Sequence, residues 1–126
     1  MILVDTSVWV DHLHRPDARM LEHLRDDNVL MHTMVIGELA CGNLPDRAAK
    51  MAMLQGLPRI SELSNNVVTA RIEQRKLMGR GIGFVDAHLV LSAVERKDTR
   101  FWTRDRRLHQ VAGDLGVAFV EDDGNG

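Results

Sequence analysis

The chain is 126 residues long, one domain's worth, and a chain of that size buries roughly two-thirds of its unfolded surface. A hydrophobic content of 44%, a charged content of 27% and a net charge of −2 describe an ordinary soluble domain and exclude a polyelectrolyte-style binder; any nucleic-acid contact must come from a local basic patch. Cys41 is the single cysteine, so an internal disulfide is excluded and a reducing cytosol fits. Asp5 breaks the N-terminal apolar run too early for a signal peptide, and no stretch approaches the ~20 apolar residues of a membrane span. The expected protein is soluble and cytoplasmic.

Ile2–Val4 is predicted as a short strand, and with Thr6 or Asp5 as cap a helix follows from Ser7 to about His14, interrupted by Pro16. Asp17–Asp26 is a second amphipathic helix with Met20, Leu21 and Leu24 on one face. Val29–Met31 is a second strand; Thr33 then caps a helix to about Leu44, stopped by Gly42, Asn43 and Pro45. Asp46–Gln55 is helical, ended by Gly56 and Pro58, and Arg59–Ser61 is a third strand. Ser64 caps a helix over Asn65–Met78, a glycine-punctuated loop spans Gly79–Gly83, and the next helix runs from about Val85 to Arg96. Arg100–Thr103 is a strand, Asp105–Leu115 a helix closed by Gly116, and Val117–Val120 the last strand. Residues 1–121 thus form one domain, and 122–126, acidic and glycine-rich, a flexible tail. Alternating strands and helices predict an α/β fold, a three-layer sandwich with a short, mostly parallel central sheet flanked by helices.

In such sheets ligands bind outside the carboxyl ends of the strands. Asp5 closes the first strand, and Asp105 stands two residues beyond Thr103. A buried ionised Asp is costly unless a metal, a base or backbone donors meet it. Helical spacing sorts the remaining acids. Glu38 shares a face with Met34, Val35, Cys41 and Gly42, where no other charge falls, and Asp86 lies with Leu89, Val90, Ala93 and Val94. Glu22, Glu73 and Glu95 have basic residues within three or four positions and read as surface, while Asp11, between Ser7 and His14, stays open. One inward acid is commonly satisfied by backbone donors or an arginine. Four, converging from separate elements, would repel one another unless a divalent cation neutralised them. Oxygen donors with no His or Cys at metal spacing suit Mg²⁺ or Mn²⁺.

The motifs VDTS at the first strand, VIGEL in a middle helix, GFVDAHLVLSA opening a late helix and FWTRDRRL at the next strand together resemble the PIN domain. More narrowly, the chain resembles the VapC-type toxins of bacterial toxin–antitoxin pairs, over nearly its whole length and with matching order and spacing. The resemblance implies an acidic quartet at Asp5, Glu38, Asp86 and Asp105, with Asp5 and Asp86 as principal metal ligands and Glu38 and Asp105 as ligands or water-orienting groups. Thr6 and Ser7 match the small polar pair after the first aspartate, where a hydroxyl orients acids or water, and Thr103 matches the hydroxyl residue two before the last acid. The implied protein is a Mg²⁺- or Mn²⁺-dependent endoribonuclease, dimeric and held inactive by a VapB-type antitoxin. Two features depart from the pattern: the proline-containing third strand, and His88, a bulky neighbour of Asp86 that bears on substrate access.

Arg71, Arg75, Lys76 and Arg80 lead to the glycine loop, and Arg104, Arg106 and Arg107 surround Asp105. They read either as a solvated face or as phosphate-backbone contacts, and Arg104, Arg106 and Arg80 are the RNA-contact candidates. The glycine loop lacks the Lys-Ser/Thr of a phosphate cradle. The six histidines show no HExxH spacing and read mostly as surface; Cys41 reads as a small core residue, Met31, Met34, Met51, Met53 and Met78 as gap fillers or partner-facing, and Trp9 as core or dimer contact. A phosphatase of the haloacid-dehalogenase type needs a second Asp where Ser7 stands. The remaining alternative is a catalytically inactive PIN-like module that binds RNA or antitoxin.

Overall fold

The computed structural model describes residues 1–121, so the tail expected over 122–126 lies outside the described residues. In chain order the elements are β1 (Ile2–Val4), α1 (Thr6–His14), α2 (Ala18–Arg25), β2 (Val29–Leu30), α3 (Thr33–Ala40) and α4 (Arg47–Gln55). These are followed by α5 (Asn65–Arg75), α6 (Phe84–Glu95), β3 (Arg100–Trp102) and α7 (Arg106–Asp114). The strands form one parallel sheet in the order β2-β1-β3, with Leu3 opposite Leu30 on one side and Phe101 on the other. The chain leaves β1 toward one neighbour and returns on the other side, so the switch point lies at the carboxyl ends of β1 and β3.

β1 and β2 are short apolar runs and β3 buries Phe101 and Trp102 after the exposed Arg100, as expected where helices cover both sheet faces. Leu3, Val4, Phe101 and Trp102 are fully buried, and α6 is buried nearly all round from Ala87 to Ala93, which makes it the central helix. It packs against α5, α7 and β3. Truncating a fully enclosed side chain such as Leu89 to Ala costs about 2–5 kcal/mol. Trp9 is also fully buried, so it is core and not a dimer contact.

Two expected strands contract. Arg59–Ser61 becomes a single parallel bridge, Met31 with Arg59, made by the Met31 N–H to Pro58 O and the Ile60 N–H to Met31 O. Proline has no N–H with which to extend the ladder. Val117–Val120 likewise becomes one bridge, Phe101 with Ala118. The third helix ends at Ala40, not near Leu44, and the helix expected to reach Met78 stops at Arg75, where Lys76 turns left-handed at φ +54°. Among the described residues no helix is long and apolar enough to cross a membrane.

Candidate active site

Three helix N-termini and two strand ends meet at the switch point. Asp5 follows β1 and occupies the N-cap position of α1, but its side chain makes no capping bond. Its Oδ2 instead accepts from the hydroxyls of Ser7 at 2.8 Å and Thr103 at 2.7 Å. Asp5 and Thr103 are both buried. The chain continues the network from β3: the Asp105 N–H donates to Thr103 Oγ1 at 3.1 Å and the Arg104 N–H to Ser7 Oγ at 3.0 Å. These hydroxyls are thereby oriented by backbone donors, which fixes their protons on Asp5.

Asp105 caps α7, accepting the Leu108 N–H at 3.0 Å. Asp86, in the first turn of α6, accepts the Gly83 N–H at 3.0 Å. Each of these helix ends carries partial positive charge, which favours a carboxylate there. Glu38 arrives differently, from the last turn of α3, and its Oε1 accepts the Thr6 hydroxyl at 2.6 Å.

Asp86 senses the other three acids. Burial pushes the Asp86 carboxyl above the ordinary value; the Gly83 N–H opposes this, and the charges of Asp5, Asp105 and Glu38 add to the rise. The structure thus brings together all four acids, with Ser7 and Thr103 beneath Asp5. They are not drawn tight: among the described residues no three His, Cys, Asp or Glu side chains form a group ready to hold a metal ion. Each carboxylate is turned to its own donors, Asp5 to Ser7 and Thr103, Glu38 to Thr6, Asp86 to Gly83 and Asp105 to Leu108.

Several expectations change. The buried face of α3 is Val35, Ile36 and Leu39, so Glu38 and Cys41 lie on the exposed side and Cys41 is not a core residue. His88 is 2% exposed, with Nε2 bonded to Asn65 Oδ1 at 2.8 Å, and so lines no opening to the acids. His12 and His32 are buried as well, and desolvation lowers the pKa of all three.

Arg104, an RNA-contact candidate by sequence, is committed elsewhere. Its Nε donates to Glu121 at 2.7 Å, Nη1 to Asp11 at 2.6 Å and Nη2 to Asp17 at 2.8 Å, and its guanidinium lies 5.7 Å from the Trp102 ring. No local spacing signalled these partners, which lie far along the chain. Arg80 pairs with Asp114 at 2.7 Å, whereas Arg106 is exposed. Arg71 pairs with Glu95 across α5 and α6.

Residues 2–114 match the family model described as PIN domain. The chain is 42% identical to Ribonuclease VapC32 of Mycobacterium tuberculosis, from strain CDC 1551 / Oshkosh and equally from strain ATCC 25618 / H37Rv, over 97% of this chain and 98% of the relative. The solved structure of PAE2754 from Pyrobaculum aerophilum superposes with a TM-score of 0.56 at 17% identity, covering 91% of this chain and 88% of that one, a likeness of fold. With the motifs VDTS, VIGEL, GFVDA and TRD standing at the switch point of such a sheet, the chain belongs to the PIN-domain family, among the VapC-type ribonucleases.

Proposed function

We propose that this protein is a VapC-type toxin: an endoribonuclease that hydrolyses RNA phosphodiester bonds with Mg²⁺ or Mn²⁺ and is restrained by a VapB-type antitoxin in the cytoplasm. The observation that carries the reading is the electrostatic coupling of Asp86 to Asp5, Asp105 and Glu38 at one end of the sheet. Like charges so arranged call for a cation, and the donor set is all oxygen, as a hard divalent ion prefers. Asp5, Asp86, Glu38 and Asp105 would hold it, with Asp5 and Asp86 as principal ligands. A cation held there supplies charge that acidifies an attacking water and offsets the negative charge growing on the phosphodiester.

The chain's own groups do the positioning. Ser7 and Thr103 hold the Asp5 carboxylate in place, each donating its hydroxyl proton to Oδ2. Thr6 holds Glu38 toward the same end through a bond from α1 to α3. The helix N-termini behind Asp5, Asp86 and Asp105 also favour an anionic phosphate approaching from outside. Arg106, exposed beside Asp105, supports a backbone-phosphate contact, and Arg80 can serve only by giving up Asp114. A homodimer is the expected free state, with exposed Met53 on α4 part of an adaptable partner-facing surface.

The test is cleavage of RNA by the purified protein in Mn²⁺ and in EDTA, with Asp5→Asn and Asp86→Asn alongside. Activity that needs the metal and falls in both variants supports the reading. Undiminished cleavage by both variants, or a folded parent inert with metal, contradicts it and leaves the inactive binding module standing.

A further inference from the structure

Beside the acids lies an apolar pocket of about 190 Å³, walled by Ile72, Leu77, Met78, Ile82, Gly83 and Phe84. Two of its rim residues are large and exposed: Met78 at 50% and Phe84 at 44%. Single exposed apolar side chains need no explanation, but two on the rim of one pocket do. Phe84 is also held in place. Its ring meets His88 at 4.8 Å between centroids and nearly perpendicular, and His88 is fixed by Asn65. An aromatic ring that is half in water and already immobilised loses little entropy when something stacks on it.

The pocket shares a wall with the acidic site. Gly83 lines it and gives its N–H to Asp86, and Phe84 is the first residue of the same helix turn. Several cations lie close by in sequence. Arg75 and Lys76 precede Leu77 and are exposed, and Arg80 sits on the loop, paired with Asp114. Arg107 crosses that loop so closely that a Cβ on Gly81, at φ +79°, would stand 2.6 Å from its Cδ and Nη1. Arg107 has no carboxylate partner among the described residues.

We infer that Phe84 is the stacking platform for an unpaired nucleobase of single-stranded RNA next to the bond to be cut, with Met78 and Ile82 forming the apolar floor beside it. The inference rests on the ribonuclease reading and adds a base-contacting residue to it. An apolar, aromatic slot with Arg107 lying across the adjoining loop matches the two faces of a single strand, base and phosphate. Bases inside a duplex have no free face to offer, so a stem would have to open or present a loop.

The experiment compares wild type with Phe84→Leu and Phe84→Trp. Binding is read by fluorescence anisotropy in EDTA, using a single-stranded RNA oligonucleotide and an abasic ribose-phosphate oligomer of equal length; cleavage of the first oligonucleotide is read in Mn²⁺. Leucine keeps the apolar bulk but has no π face. Phe84→Leu should therefore bind the RNA roughly five- to a hundredfold more weakly and raise KM more than it lowers kcat, and Phe84→Trp should bind as well as wild type or better. On the abasic oligomer all three should bind alike. Equal RNA binding by Phe84→Leu and wild type overturns the platform, as does a loss that persists on the abasic oligomer. A changed oligomeric state in light scattering with unchanged RNA binding also overturns it, and assigns the ring to a contact between copies. Failure of the ribonuclease reading looks different: wild type then leaves the oligonucleotide intact in Mn²⁺, whatever Phe84→Leu does to binding.

Discussion

Two groups of carboxylates lie on either side of the Arg104–Asp105 peptide, balanced in opposite ways. On one side Asp11, Asp17 and Glu121 close around the Arg104 guanidinium, with Arg19 bridging Glu121 and Asp17 and the Trp102 Nε1–H donating to Glu121. Burial alone would raise Asp17, yet bonds from Arg104 and from the Arg19 and Met20 N–H groups hold it at about 2. Glu121 is lowered in the same manner, overcoming its own burial. On the other side Asp5, Glu38, Asp86 and Asp105 have hydroxyl and N–H donors but no guanidinium, and Asp86 rises. The contrast separates two uses of an acid. A carboxylate whose counter-charge is built into the chain is structural; under the proposed function, one whose neighbours are other acids would take its counter-charge from a bound cation.

Exchanging one charge on each side should give the largest contrast. Asp5→Asn should lower metal-dependent cleavage on the order of a hundredfold or more, since the site loses a charge fixed by two hydroxyls. Asp17→Asn should leave kcat nearly untouched and cost stability instead, read by denaturant unfolding. Equal activity losses would erase the distinction.

Arg104→Leu comes next. It leaves three carboxylates without their cation and should destabilise by roughly 2–4 kcal/mol at neutral pH. Lysine should recover only part, because a single ammonium cannot span three acceptors as the guanidinium fork does. The acid limb gives a second reading. Asp17 and Glu121 have lowered folded values, so their stabilisation is present above the ordinary carboxylate range of about 4 and drains as pH falls below it, for Asp17 toward about 2. In Arg104→Leu that drop should flatten.

Thr103→Val is smaller. It keeps the shape but removes the hydroxyl that donates to Asp5 and accepts the Asp105 N–H, at a cost of about 1–3 kcal/mol and a partial loss of activity. Smallest of all, Cys41→Ser on the exposed side of α3 should change unfolding by no more than about 0.5 kcal/mol. A larger loss there would restore the core placement that helical spacing suggested.

Much of this was legible because short apolar runs ending in Asp5 and near Asp105 mark strand ends, and strand ends position sites in a parallel sheet. Helical periodicity placed Asp86 on the edge of the central helix, where it stands. It misplaced Glu38, whose orientation depends on a hydroxyl from another helix, Thr6, and not on the apolar face of its own. The Arg104 cluster was illegible for a related reason: residues 11, 17 and 121 meet only after folding, so a basic residue beside Asp105 read as a phosphate contact. The edge strands failed at Pro58, which cannot carry a ladder past one bridge, and at the sheet's other margin, where only Ala118 pairs.

The central claim is that the four acids form one repelling cluster whose missing counter-charge is a metal ion. It is tested most directly by thermal unfolding of Asp86→Asn and its parent from pH 5 to 8, in EDTA and in Mn²⁺. Because Asp86 is raised in the folded protein, its protonated form stabilises the native state below about pH 4, and that contribution is lost as pH climbs through the raised value. Asparagine keeps an oxygen for the Gly83 N–H and removes the charge. The variant should therefore melt higher than its parent in EDTA near neutral pH, with a flatter pH dependence, and gain less from Mn²⁺. If it melts lower in EDTA and gains as much from Mn²⁺, Asp86 only holds the Gly83 N–H at the start of α6, and the four acids are not one site.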